Sequence, residues 1–164
     1  MNKKLQRLSK RIALAAFALV LATSITAAAQ SENSAKGLTG TWRVTVALQN
    51  CATGAQLGPS FSSLLSFNRG GTMTGTTTNP TFAPGQRSSD LGVWDHKGQH
   101  NYLAASEAYI NFTAGQFQQG TQRIAQAIHV DGNEFLSNAT VQFMDGSGTV
   151  YRSACAVAHG TRFE

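Results

Sequence analysis

The chain has 164 residues, with 13 Lys and Arg against eight Asp and Glu and a formal charge of +5 at pH 7. Five basic residues lie within the first eleven positions. The eight basic residues after them are balanced by eight acidic residues, so residues 12–164 have a formal charge of zero. This balance argues against a nucleic-acid partner, which needs a basic patch on the folded domain.

The N-terminal segment has the pattern of an export signal. A basic stretch from Lys3 to Arg11 precedes a mostly apolar run from Ile12 to Thr26, and Ala27-Ala28-Ala29 has the small-x-small form of a signal-peptidase site. The run is shorter than the roughly 20 residues of a membrane span. We predict a signal peptide over 1–29, a flexible leader over 30–37 and one domain over 38–164. The mature protein is expected in the periplasm or outside the cell, without a membrane span.

After the leader, apolar and polar residues alternate with a period of two, and no long stretch repeats at 3.6. Turn signals such as Arg69-Gly70-Gly71, Lys97-Gly98 and Asp131-Gly132 separate the alternating runs. Evenly spaced hairpins favour an up-and-down meander, and about eight strands close into a barrel that holds side chains or one small ligand. We therefore predict an all-β, antiparallel barrel. The predicted strands are 41–49, 60–68, 72–78, 91–96, 100–112, 121–130, 135–143 and 149–163.

The turn positions predict which side chains point into the barrel. A turn at Asp145-Gly146 places Arg152 opposite Ala139, on the inner face. Gln126 and Ser137 share that face with Arg152. A shift of one residue would turn every one of these side chains outward.

A second hairpin is predicted at Lys97-Gly98. This turn places Val93 opposite Tyr102 on the inner face, which Ser106 shares, and it directs Trp94 outward. The connection from 79 to 90 is the one long break in the alternation. We predict that it is a loop over one mouth of the barrel.

The two cysteines, Cys51 and Cys155, lie near the ends of the domain. In an exported protein such a pair favours a disulfide over free thiols. If they lie directly opposite each other, Val44 faces Arg162, Trp42 is its diagonal neighbour, and the disulfide lies on the outside. The alternative is two cysteines that are buried or paired independently.

The motif Gly40-Thr41-Trp42, with Arg162 near the end of the last strand, resembles the calycin superfamily of lipocalins, fatty-acid-binding proteins and avidins. Gly37 to Trp42 also resembles the opening of an avidin. The Thr-Asp-Tyr motif of lipocalins and the Arg-x-Tyr motif of fatty-acid-binding proteins do not occur, so no subfamily is assigned. The resemblance implies a barrel whose tryptophan, covered by the arginine, closes one end, which gives these motif residues a structural role.

Arg152 is the most informative polar residue on the predicted inner face. A buried guanidinium without a carboxylate is unfavourable. An anionic ligand would relieve it, with Gln126 and Ser137 as neutral hydrogen-bonding partners. Tyr102 and Ser106 are predicted to line the same interior. The alternative is that Arg152 lies at a solvated rim or pairs with a carboxylate.

No metal site, cofactor site or catalytic residue is predicted. His96 and His100 flank a turn, and His129 and His159 are predicted to point outward on separate strands, whereas a metal needs three or four converging ligands. Asp95 and His100 form a possible acid–base pair without a third member. A surface ion pair is the commoner arrangement.

The predicted function is therefore that of an exported, lipocalin-like binding protein that holds a small apolar or anionic molecule in the barrel. One alternative is an isomerase or cyclase on the same scaffold, and another is a structural or interaction module without a ligand. An outer-membrane barrel needs a continuous apolar outer band. The outward positions of the first and sixth strands do not supply one.

Overall fold

The computed structural model describes residues 37–113 and 117–163, with only the backbone described for strand residues between 112 and 119. Its eight strands form a closed antiparallel barrel in sequential order, consistent with a calycin-like fold, and no helix occurs in the described ranges. The predicted fold class is confirmed. The predicted signal peptide and nearly all of the leader lie outside the described residues. The strands are β1 (Gly40–Gln49), β2 (Phe61–Asn68), β3 (Thr72–Thr77), β4 (Asp90–Gly98), β5 (Asn101–Thr113), β6 (Phe117–Asp131), β7 (Glu134–Asp145) and β8 (Val150–Arg162).

The barrel closes where β1 pairs with β8. The disulfide joins Cys51 to Cys155, with a Cα–Cα distance of 5.1 Å, so the predicted pairing of the cysteines is confirmed. The strand register is two residues from the prediction, because Arg162 lies directly opposite Trp42 and not opposite Val44. A shift of two preserves the direction of every side chain, so the inner face of both strands is the predicted one.

Aromatic rings fill one end of the barrel, which we call the Trp42 end. Trp42 is fully buried, and its ring centroid is 5.0 Å from that of Phe135 in an edge-on arrangement. Phe67 continues the cluster toward Trp94, at 6.3 Å. Gly160 lies against the ring of Phe135, where an added Cβ would come within 2.2 Å of a ring carbon. The absence of a side chain at this position therefore lets Phe135 reach the barrel axis.

Arg162 covers this end of the barrel. Its guanidinium carbon lies 4.2 Å from the ring centroid of Trp42, in cation–π geometry. Nη1 and Nη2 donate hydrogen bonds to the carbonyl oxygens of Thr39 and Gly37, both at 2.7 Å, and Nε donates to Oδ1 of Asn133 at 3.1 Å. One side chain thus connects the entry to β1, the β6–β7 turn and the end of β8.

The connections between the last three strands differ from the prediction. The β6–β7 turn is Gly132-Asn133, one residue later than Asp131-Gly132. The β7–β8 connection spans 146–149, because Oδ1 of Asp145 accepts hydrogen bonds from two backbone N–H groups of that connection, both at 2.9 Å. The hydroxyl of Ser147 also donates to Oδ1 of Asp145, at 2.6 Å. This hydrogen bond, and to a smaller extent those from the backbone, lowers the pKa of Asp145.

The longer connection changes the partner of Arg152. A bulge follows Phe143, and Arg152 lies opposite Phe143 and not opposite Ala139. Gln126 and Ser137 are buried on the inner face, as predicted. The predicted arrangement of Arg152 beside Ala139 was therefore wrong, since the turn signal did not reveal the four-residue connection.

The β4–β5 hairpin differs from the prediction, because the β4 side chains predicted to point inward point outward, and the reverse. A bulge between His96 and Gly98 adds one residue, and Gly98 and Gln99 adopt positive φ angles of 105° and 48°. As a result Trp94 points inward, opposite Ala104, and Val93 points outward with 60% of its surface exposed. The outer face of β4 carries apolar side chains, so the alternation of apolar and polar residues alone predicted it to be the inner face.

We expect removal of the disulfide to destabilise the barrel. The bond spans 104 residues of sequence, and in the chain-entropy model a loop of that length lowers the entropy of the unfolded chain substantially. The variant C51A/C155A should lose about 2–4 kcal/mol of unfolding free energy, measured by urea denaturation. A reducing agent should lower the stability of the unmodified protein to that of the variant and leave the variant unchanged. Equal stability of the two proteins without reductant would contradict the prediction.

Candidate functional site

Beyond the aromatic cluster, the side chains inside the barrel become small and leave a cavity of about 80 Å³. Ala139, Ala156 and Ala158 form part of its wall. The other apolar residues of the wall lie on β1, β2, β3, β6 and β7. They include Val44, Val46, Leu65, Met73, Ile124 and Val141.

A buried ion pair lies at the end of this cavity that faces away from Trp42. Nη2 of Arg87 donates to Oδ1 of Asp90 at 2.5 Å, and the two side chains are only 5% and 6% exposed. Nε of Arg87 donates to Oε1 of Gln122 at 2.6 Å, and Nη1 donates to the carbonyl oxygen of Ser88 at 3.1 Å. Arg87 is thus held by residues of β4 and β6 and by its own loop.

The β3–β4 connection brings Arg87 into the barrel. Residues 86–88 precede β4 and pair with β5 as β4 does. Asn111 N donates to the carbonyl oxygen of Gln86 at 2.8 Å, and Ser88 N donates to the carbonyl oxygen of Tyr109 at 3.0 Å. Arg87 pairs with Ile110, whose side chain is buried inside the barrel, so the guanidinium points inward as well. Asn79, at the start of the same connection, is also buried and lines the cavity.

Burial raises the pKa of Asp90, and the charge and hydrogen bond of Arg87 lower it by a smaller amount. The carboxyl group is therefore easier to protonate than a solvated aspartate. Arg87 and Asp90 are the only charged side chains among the described residues that line the cavity, so its formal charge is zero.

Several neutral polar groups face the same space. Ser137 donates to Oε1 of Gln126 at 3.4 Å. Among the described residues, no hydrogen bond engages the side-chain nitrogens of Gln122 and Gln126 or the hydroxyl of Ser106. All three residues are buried and line the cavity, so these groups are available to a small molecule inside it.

Three of the predicted ligand-binding residues, Gln126, Ser137 and Ser106, therefore lie together at the cavity. Tyr102 is buried but packs between Trp94 and His96 at the Trp42 end, with ring centroids 5.8 and 4.9 Å away, and does not line the cavity.

Arg152 does not join these residues. Its side chain is exposed, and its guanidinium carbon lies 5.2 Å from the ring centroid of Phe143, near the start of β8. This location matches the solvated rim that was the alternative interpretation. Arg152 therefore does not place an unpaired guanidinium inside the barrel.

Sequence reasoning missed Arg87 and Asp90. Both were assigned to the long loop, and the wrong facing of β4 placed Leu91 inside, which would turn Asp90 outward. With Trp94 taken as inward, the period of two also turns Gly92 and Asp90 inward. The large apolar side chain of Trp94, which is partly buried against the core, was thus the signal that could have identified Asp90.

A larger, open groove of about 910 Å³ lies on the outer face of the barrel. Its charged residues, Asp95 and Lys97, pair with each other. The remaining lining side chains are mostly small or apolar and include Val93, Leu103, Ala105, Ala125 and Ala127. We favour the smaller interior cavity as the functional site, because buried charged and polar groups converge only there among the described residues.

Histidine, cysteine and carboxylate side chains form no group of three suited to a metal within residues 37–113 and 117–163. His100 and His129 stack with their ring centroids 6.1 Å apart, and their Nδ1 atoms contact the Val130 carbonyl oxygen and Asn101 Oδ1, both at 2.9 Å. In the same ranges, no helix has the length and apolar character needed to cross a membrane.

No family model, curated protein or solved structure matches this chain. The function has therefore to be inferred from the chain's own sequence and structure.

We expect Asp90→Asn to destabilise the protein strongly. The substitution leaves the buried guanidinium of Arg87 without its counter-charge, and loss of one partner of a buried pair costs about 3–5 kcal/mol. The matched control is Glu107→Gln, which breaks the exposed pair of Arg123 and Glu107. Its cost should stay within about 1 kcal/mol. Equal losses of unfolding free energy in urea would contradict the structural role assigned to the buried pair.

Proposed function

We propose that this protein is an exported, lipocalin-like binding protein that holds one small, partly apolar molecule in the barrel interior. The observation that carries the proposal is the cavity, which has an apolar wall on several strands and is also lined by buried polar side chains. Sites for small molecules are typically concave and mostly apolar, with a few converging polar groups.

The size of the cavity limits the ligand. The interior cavity has a volume of about 80 Å³. Typical pockets for larger ligands have about 300–1,000 Å³. We therefore propose a ligand of a few non-hydrogen atoms.

The charge balance favours a ligand without net charge. The anionic ligand expected from the sequence depended on an unpaired arginine inside the barrel. The interior arginine is Arg87, whose charge is balanced by Asp90. A bound anion would add a buried charge without a partner, which is unfavourable.

Export is part of the proposal and is supported by two features. The N-terminal sequence has the pattern of a signal peptide. The disulfide between Cys51 and Cys155 is of a kind that persists mainly in oxidising compartments such as the periplasm.

The test is native mass spectrometry of the protein purified from the compartment into which it is exported. We expect a bound small molecule on the unmodified protein and its loss from Ala156→Leu, because leucine adds three carbon atoms to the cavity wall. The control is Ala125→Leu, the same change on the exposed outer face of β6.

Retention of the molecule by Ala125→Leu and its loss from Ala156→Leu would support the interior site. The absence of any bound molecule, or equal retention by both variants, would contradict it. Circular dichroism and a thermal melt of both variants would show whether overpacking has unfolded the barrel.

A second candidate is an enzyme in which Asp90 transfers protons, as in the isomerase or cyclase alternative. The raised pKa of Asp90, beside a cavity, favours it, because perturbed carboxyl groups are common in acid–base catalysis.

We expect such an enzyme to exchange a C–H hydrogen of the co-purified molecule for deuterium in D₂O, detected by proton NMR. Asp90→Asn should slow this exchange at least about 100-fold, the usual minimum contribution of a general base. Unmodified protein that binds the molecule without exchange would exclude this candidate for that molecule.

A further inference from the structure

We propose that the interior site selects an uncharged polar group that both donates and accepts hydrogen bonds, such as a primary amide or an alcohol. This inference depends on the proposed function, since it names the ligand class of the same cavity. It follows from the charge balance of the lining and from the hydrogen-bonding atoms that the lining leaves available.

The acceptor of the site is Oδ2 of Asp90. Oδ1 of this carboxylate accepts the hydrogen bond from Arg87, whereas no hydrogen bond among the described residues engages Oδ2. No side-chain oxygen or nitrogen of the described chain is both fully buried and without a partner, so Oδ2 retains some accessible surface. An N–H or O–H group of a ligand can therefore donate to it.

The donors of the site are the side-chain amide nitrogens of Gln122 and Gln126. Oε1 of each glutamine already accepts a hydrogen bond, from Arg87 and from Ser137 respectively. Because a guanidinium can only donate, the contact with Arg87 fixes the orientation of the Gln122 amide and leaves its –NH₂ group to donate. The –NH₂ group of Gln126 is engaged by no hydrogen bond among the described residues. The hydroxyl of Ser106 can donate or accept beside them.

Charge selection comes from the pair of Arg87 and Asp90. The pair leaves the cavity electrically neutral, and these are the only titratable residues in its described lining. A ligand anion has to displace Asp90 from Arg87 or remain unpaired, and a ligand cation has to compete with Arg87. A neutral group with a donor and an acceptor satisfies the available atoms without disturbing the pair.

Three small probes of similar size separate these requirements. Acetamide is planar and carries both a donor and an acceptor, acetone has the same shape without the donor, and nitrate is a planar anion of comparable size. Such small molecules bind weakly, so titrations extend to high millimolar concentrations. Binding is followed through the NMR signals of the Gln122 and Gln126 side-chain amides in the unmodified protein.

We expect acetamide to bind roughly 5- to 100-fold more tightly than acetone, because acetone leaves the Asp90 acceptor unpaired in a buried site. Nitrate should not shift the two amide signals of the unmodified protein. Equal or tighter binding of acetone, or interior binding of nitrate, would overturn this inference and leave the proposed binding function intact. If no probe binds and no molecule co-purifies, the proposed function fails together with the inference.

The variant Asp90→Asn should reverse the charge selection. It leaves Arg87 without a counter-charge, so nitrate should now bind and raise the melting temperature relative to chloride at the same ionic strength. Glu107→Gln is the control, because it frees the exposed guanidinium of Arg123. A rise of equal size in both variants, or none in a folded Asp90→Asn protein, would overturn the inference. If this variant does not fold, the probe series on the unmodified protein still decides.

Discussion

The pairing of β1 with β8 is the constraint on which the rest of this structure depends. Closure gives the first and last strands a partner each, and it directs one face of every strand into a shared interior. Three interactions hold these two strands in register: the backbone ladder, the Cys51–Cys155 disulfide and the contact of Arg162 with Trp42. The disulfide lies at one end of the strand pair and the arginine at the other.

The two ends of the interior have different chemistry because different residues close them. At the Trp42 end, rings from β1, β2, β4 and β7 pack edge to face and exclude water. At the opposite end, the β3–β4 connection contributes a guanidinium that pairs with a carboxylate. A well-packed apolar end is often as stable as a buried ion pair, so stability alone does not explain the pair of Arg87 and Asp90. Recognition of a ligand is the explanation that we favour.

The sequence predicted the barrel well and the site only in part, and the reason lies in what alternation encodes. A period of two specifies which residues of a strand share a face. A shift of the strand register by two residues leaves those faces unchanged, so Gln126 and Ser137 were correctly predicted to point inward. Alternation does not specify bulges or loop conformations. The bulge before Gly98 reversed the predicted facing of β4, and the hydrogen bonds to Asp145 displaced Arg152. The inward positions of both charged residues of the site, Arg87 and Asp90, depend on such local features of the backbone.

Because Arg87 lies on the β3–β4 connection, the position of this connection affects both access to the cavity and the charges inside it. Arg87 belongs to the connection that borders the cavity, whereas Asp90 and Gln122 belong to strands. If this connection moved away from the barrel, its backbone hydrogen bonds to β5 would break and Arg87 would leave Asp90. The carboxylate would then face an opening to solvent, where its ionised form is more stable than in the closed site. Return of the connection would restore the pair of Arg87 and Asp90, so the charge balance of the cavity lining depends on the position of this connection.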